Sequence, residues 1–105
     1  MSVSLFRYDA DGECTLCYPV STEDVYIRVW NRAIAEENIR LFRECSGFTV
    51  EQVSEVLDEL QRIKDWCERN LDHSFRDYSY MIWRLDDLMQ AIPEESEKSS
   101  EPFEL

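Results

Sequence analysis

The stretch TVEQVSEVLDELQRIKDWCERN, residues 49–70, carries the clearest structural signal in the chain. Thr49 and Gln52 have the spacing of a capping box, in which each side chain satisfies a backbone N–H at the start of a helix. This spacing and the apolar period after it predict an amphipathic helix over about residues 50–70, with one face in a core. The apolar stripe of this helix consists of Val53, Val56, Leu57, Leu60, Ile63, Cys67 and Leu71.

Two further helices are predicted on either side of this one. The run STED at residues 21–24 offers a capping hydroxyl followed by acids, which favours a helix start, and we predict a helix over about residues 23–45. Downstream, apolar residues at the same period predict a helix over about residues 74–92. Pro93 is expected to close that helix from beyond.

The N-terminal residues alternate with a shorter period. SLFRYDA and ECTLCYPV flank an Asp-Gly dipeptide, which is typical of a two-residue type I′ turn, so residues 3–18 are predicted to form a β-hairpin. With that turn, Phe6 lies opposite Cys17 and Asp9 lies opposite Cys14. A lone hairpin is not stable in water, so this one must pack on something apolar.

The C-terminal segment PEESEKSSEPFEL, residues 93–105, is polar and acidic and has no apolar period. The sequence therefore predicts a mainly α, small α+β fold: an N-terminal β-hairpin followed by a three-helix bundle, with a disordered acidic C-terminal tail. Residues 1–92 are expected to form a single compact domain. Residues 93–105 are expected to form an acidic flexible tail.

The charge limits the range of partners. The chain of 105 residues carries 23 acidic and 11 basic side chains, for a net charge of −12. Such a field repels nucleic acid and anionic membranes, and it attracts basic proteins. No apolar run approaches the roughly 18 residues of a membrane span, and the N-terminus lacks a signal-peptide core. We therefore expect a cytoplasmic protein that binds neither nucleic acid nor a membrane directly.

The chain holds no catalytic signature. It has no Gly-rich phosphate loop and no candidate triad, and its single histidine, His73, lies in a linker. Adjacent acids such as Asp86 and Asp87 diverge on a helix and cannot act as a catalytic pair. We predict that the protein is not an enzyme and needs no cofactor.

The motif CTLC, residues 14–17, raises the alternative of a small zinc-stabilised domain. On a regular strand Cys14 and Cys17 have opposite parity and point to opposite faces, which disfavours a zinc knuckle. A structural zinc site needs four ligands. The fold would have to bring Cys14 and Cys17 together with some of Cys45, Cys67 and His73.

Three aromatic residues fall outside the apolar stripes of their helices. Tyr80 and Trp83 lie on the charged side of the last predicted helix, and Trp66 lies on the charged side of the preceding one. Either the hairpin covers all three rings as a second packing layer, or some of them face a partner. Trp and Tyr are the residue types that often carry the binding energy of interfaces.

The leading functional hypothesis is a non-enzymatic inhibitor that binds and blocks a basic, nucleic-acid-binding partner protein. Its size and charge are those of nucleic-acid mimics, anti-CRISPR proteins and immunity proteins, in which carboxylates can stand in for phosphates. An alternative is an acidic adaptor subunit of a larger assembly, which would self-associate as a homo-oligomer when isolated. The predicted partner-binding residues are Trp66, Tyr80, Trp83, Glu55, Asp58, Glu59, Asp86 and Asp87.

Overall fold

The computed structural model describes residues 2–105, which form a four-stranded antiparallel sheet, two shorter helices and one long helix. The helix α1 runs through three consecutive segments, of which the middle one is a π-helix: Glu23–Val25, Tyr26–Trp30 and Asn31–Glu36. The helix α2 is Val53–Asn70, preceded by a 3₁₀ turn at Val50–Gln52, and the long helix α3 is Arg76–Ser96. The strands are β1 (Ser2–Tyr8), β2 (Cys14–Thr22), β3 (Gly47–Phe48) and β4 (Phe103–Glu104), in the order β2-β1-β4-β3.

The predicted fold, a hairpin followed by a three-helix bundle with a disordered tail, is wrong. The protein is α+β, and its sheet gains two strands beyond the hairpin. One of them, β4, comes from the C-terminal segment that was expected to be disordered. The reason is Phe103, which is fully buried and stacks on Phe48 with ring centroids 4.8 Å apart. One buried ring anchors a segment whose average composition is polar, so composition alone is misleading here.

The side chain of Arg7 holds this C-terminal segment against β1. Arg7 is only 3% exposed, and its guanidinium lies 4.3 Å from the centre of the Phe103 ring. It donates hydrogen bonds to backbone carbonyl oxygens of Glu95 (2.5 Å), Ser99 (2.8 Å) and Glu101 (2.6 Å). A buried guanidinium with several acceptors is well satisfied, so Arg7 joins the N-terminal strand to the end of α3 and the chain beyond it.

The helix predicted over residues 23–45 ends at Glu36. The chain then turns out of the helical path, and the carboxylate of Glu59, which is 5% exposed, accepts hydrogen bonds from the next segment. Its donors are the consecutive backbone N–H groups of Arg40 (3.0 Å), Leu41 (3.1 Å) and Phe42 (2.9 Å). The helix itself ends locally, because Asn38 adopts a left-handed conformation (φ 55°). Glu59 then holds the segment that follows, by accepting N–H groups that a continuing helix would have satisfied.

The helix predicted over residues 74–92 begins at Arg76 and continues past Pro93 to Ser96. Pro93 removes one helical hydrogen bond, but only three residues of the helix follow it. The core lies between the inner face of the sheet and the helices. A row of aromatic rings crosses it from α1 to β4: Tyr26, Trp30, Phe42, Phe48 and Phe103, with successive centroids 4.8–6.2 Å apart.

The hairpin loop is one residue longer than predicted. Asp9 pairs with Glu13 through its N–H (2.9 Å), and Gly12 has φ 80°, as in a three-residue loop that ends in a left-handed residue. Cys14 therefore lies opposite Tyr8, not Asp9.

A bulge at Thr15 then restores the predicted register, so that Phe6 lies opposite Cys17. The bulge also corrects the parity argument. Residues paired across strands share a face, and Tyr8 and Phe6 share one because they are two apart on β1. Cys14 and Cys17 therefore lie on the same face of the sheet rather than on opposite faces.

No helix within residues 2–105 combines the length and the apolar character that crossing a membrane requires.

Candidate protein-binding surface

The most exposed aromatic side chains of the described chain lie along α3. Phe75, just before the helix, is 64% exposed, and Trp83 is 59% exposed. Ser79, also exposed, lies midway between them, because positions four residues apart are neighbours on a helix surface. Phe75 and Trp83 are therefore about 12 Å apart along the helix axis.

Two neighbouring side chains hold the Trp83 ring in place. The Tyr80 ring meets it edge to face, with centroids 5.7 Å apart and planes at 73°. The guanidinium of Arg84 lies 4.7 Å from its centre. Tyr80 is itself fixed, because its hydroxyl oxygen accepts the backbone N–H of Thr22 on β2 (3.0 Å). Trp83 is thus open to solvent but supported on two sides.

Arg84 in turn is locked onto β2. It is 3% exposed and donates to the carbonyl oxygens of Pro19 and Val20 (3.2 Å for Val20) and to the Asp87 carboxylate (2.9 Å). That carboxylate also accepts the Tyr18 hydroxyl at 2.6 Å. Burial, together with the hydrogen bond to Asp87, raises the pKa of Tyr18. The hairpin therefore reaches α3 and partly covers Tyr80, while Trp83 remains exposed.

Trp66 is not part of this surface. It is 1% exposed, its indole N–H donates to the Glu36 carboxylate (3.0 Å), and the Arg32 guanidinium lies 5.2 Å from its ring. The cover is α1 rather than the hairpin. A helical wheel with a single apolar stripe does not predict the burial of Trp66. The reason is that α2 packs against both α1 and α3, so a wider arc of its surface is buried.

The five predicted carboxylates fall into two groups. Glu59 is buried under backbone N–H groups, and Asp87 is engaged by Arg84 and Tyr18, so neither is free to meet a partner. Glu55 and Asp58 are exposed on α2 and, within residues 2–105, make no ion pair. Asp86 is exposed one turn after Trp83 and pairs with Lys64 of α2 at 2.9 Å.

The candidate zinc ligands are not assembled. Cys67 is buried in the core, and burial raises its pKa to about 12, whereas Cys14, Cys17 and Cys45 are exposed free thiols. His73 stacks on Tyr78 with ring centroids 4.0 Å apart. In the part of the chain that the structure describes, no three His, Cys, Asp or Glu side chains form a group able to hold a metal ion.

A cleft of about 450 Å³ opens beside Tyr80, where α1 and α3 begin and β2 ends. Arg28 crosses it and binds Asp24 and Asp77, each at 2.8 Å, and its hydrogen bond lowers the pKa of Asp77. The spacing of Arg28 four residues after Asp24 is readable in the sequence, but the third member comes from a distant helix. The lining residues are Thr22, Asp24, Val25, Arg28, Arg76, Asp77 and Tyr80.

Models of known protein families, curated proteins and solved structures were all compared with this chain, and none of them matches it.

Proposed function

We propose that this is a non-enzymatic interaction protein that binds a basic surface of a partner protein and thereby blocks it. The observation that carries the proposal is the state of Trp83, which is 59% exposed and yet supported by Tyr80 and Arg84. A large ring that is already oriented loses little conformational freedom on binding, which is the property of an interface anchor.

The charge of the chain supports a basic partner. The net charge of −12 speeds the approach of a positively charged protein. Exposed acids such as Glu55 and Asp58 contribute to this attraction at a distance. Close to the anchor, Asp86 can exchange its pairing with Lys64 for a basic side chain of the partner, and the open face of Trp83 can receive a cation.

A nucleic-acid-binding protein is the kind of partner we propose, because such proteins present basic surfaces shaped for phosphates. The exposed carboxylates would occupy positions where that partner otherwise binds phosphate, and binding would then prevent nucleic-acid binding. We take the cytoplasm to be the compartment, in keeping with three exposed thiols that remain free.

The proposal is tested by affinity capture with matched variants. The immobilised protein, Trp83→Ala and Ile27→Ala are each incubated with lysate of the source cells at low and at high salt. Ile27 is the control because it is as exposed as Trp83, at 60%, but lies on α1. We expect a basic protein to be retained by the wild type and Ile27→Ala at low salt and to be lost with Trp83→Ala or at high salt, since salt screens surface charges.

The inhibitory part is tested with the purified partner. Its binding to a nucleic acid should fall as the wild-type protein is added and should fall much less with Trp83→Ala. The proposal is contradicted if retention of the partner changes neither with salt nor with Trp83→Ala. It is also contradicted if the captured partner binds this protein and nucleic acid simultaneously.

A further inference from the structure

The bulge in β2 brings two thiols onto one face of the sheet. Cys14 lies opposite Tyr8, and Cys17 lies opposite Phe6, with Thr15 unpaired between them. The rings of Phe6 and Tyr8 stack on that face, with centroids 6.2 Å apart and planes at 19°. Cys14 and Cys17 are therefore next to each other beside an aromatic pair, in spite of their odd spacing in sequence.

The first thiol is in contact with the backbone that lies between the two cysteines. The Sγ of Cys14 lies 3.2 Å from the carbonyl oxygen of Leu16, and that carbonyl belongs to the peptide bond that joins Leu16 to Cys17. Both thiols are free and exposed to solvent. A solute can reach them together without any rearrangement of the core.

We propose that Cys14 and Cys17 together bind one soft, monovalent metal ion of the Cu(I) type. The number of ligands decides the class of ion. A structural zinc ion takes four ligands, and the described chain offers no third metal-binding side chain beside this pair. Cu(I) prefers thiolates and is satisfied by two of them.

Binding has a defined proton balance. Each thiol forms one sulfur–metal bond and releases its proton to the solvent, so one ion displaces two protons and no electron is transferred. Affinity therefore rises with pH. The site lies on the sheet and does not involve Trp83, so the metal-binding proposal can be tested independently of the proposed function.

The experiment is an anaerobic titration of the full reduced chain with Cu(I) in the presence of a coloured Cu(I) chelator as competitor. We expect one ion per chain. Cys14→Ser and Cys17→Ser should each weaken binding by more than about 100-fold, since losing one of two ligands costs more than losing an outer-shell partner. Cys45→Ser is the matched control, because Cys45 is equally free and exposed but has no second cysteine near it in the sequence.

A second measurement tests the geometry without the metal. Phenylarsine oxide bridges two adjacent thiols with loss of one water and does not hold single thiols firmly, so the intact mass should show one bridged adduct that requires both Cys14 and Cys17. The proposal is overturned if Cu(I) does not bind at one per chain, or if Cys45→Ser weakens binding as much as Cys17→Ser does. A bridged adduct without Cu(I) binding overturns the choice of ion, and the absence of an adduct overturns the pairing.

Discussion

Two buried arginines each hold a neighbouring segment of the chain, but the aromatic rings that they contact differ in exposure. Arg7 and Arg84 are each 3% exposed, each donates to backbone carbonyl oxygens of a neighbouring segment, and each lies against an aromatic ring. The ring beside Arg7 is Phe103, which is fully buried, and the ring beside Arg84 is Trp83, which is 59% exposed. The arginine–ring contact stabilises the core at Phe103, whereas at Trp83 it orients a side chain that is exposed to solvent. Burial of the ring, rather than the arginine, separates a structural residue from a candidate binding residue.

The comparison is tested most strongly by truncating the two rings. Phe103→Ala should lower the free energy of unfolding by about 3–5 kcal/mol, because it leaves a cavity between β3 and Arg7. Trp83→Ala should change it by less than about 1 kcal/mol, because the ring is already in water. Urea unfolding followed by circular dichroism measures both. Equal losses would show that Trp83 is a structural residue and would remove it as an anchor.

Substitution of the two arginines is expected to have the next largest effect. Arg7→Met keeps the apolar stem but leaves the carbonyl oxygens of Glu95, Ser99 and Glu101 without their donor, at a cost of about 2–4 kcal/mol. Hydrogen exchange should accelerate in the amides of β4 before it does in α2. Arg84→Met is the counterpart, and it should free the Trp83 ring, seen as lower fluorescence anisotropy. Unchanged exchange in β4 after Arg7→Met would contradict the role given to Arg7.

Glu59 offers the same comparison with the charges reversed, since a buried anion here holds backbone donors. Glu59→Gln retains one acceptor oxygen and introduces an amide that must compete with the N–H groups of residues 40–42, so we expect a loss of about 1–3 kcal/mol in unfolding free energy. Glu55→Gln, on the exposed side of the same helix, should change it by less than about 0.5 kcal/mol. A similar effect of the two would mean that the carboxylate does not hold the segment.

The smallest effect is expected at the cleft beside Tyr80. The hydrogen bond from Arg28 lowers the pKa of Asp77, so the carboxylate stabilises the fold above its unfolded pKa of about 3.9 and loses this contribution as the pH falls below it. The difference in unfolding free energy between the wild type and Asp77→Asn should therefore be constant above about pH 5 and shrink at more acidic pH. Denaturation at several pH values measures it. A difference that grows on acidification would mean that the pair does not stabilise the fold.

The part of the fold that the sequence predicts well depends on local interactions. The capping box of Thr49 and Gln52 is confirmed, and the stripe that follows it is buried or half-buried. Both features depend on residues within one or two turns of each other, so a periodic pattern contains them.

One error is local, because the apolar period over residues 23–45 does not take account of Asn38, whose left-handed conformation ends α1. The other errors come from contacts between residues far apart in the sequence. The segment after α1 is held by Glu59, and the C-terminal strand is held by Arg7 and Phe103, across separations of 17–96 residues. A periodic pattern carries no information about such pairs. The same limit applies to the candidate surface: the unusual position of Trp83 is visible in the sequence, but the burial of Trp66 depends on where α1 packs.

The place of β4 in the sheet has a consequence for folding. Glu104 pairs with Phe6 on one side and with Gly47 on the other, so β3 joins the sheet only through the last strand. The four-stranded sheet therefore cannot be completed until residue 104 has been synthesised, and contacts of such long range form slowly. Until then the edge of β1 around Phe6 has no strand partner and can pair with another chain. Chains that stop before Phe103 should therefore aggregate more readily than the full chain.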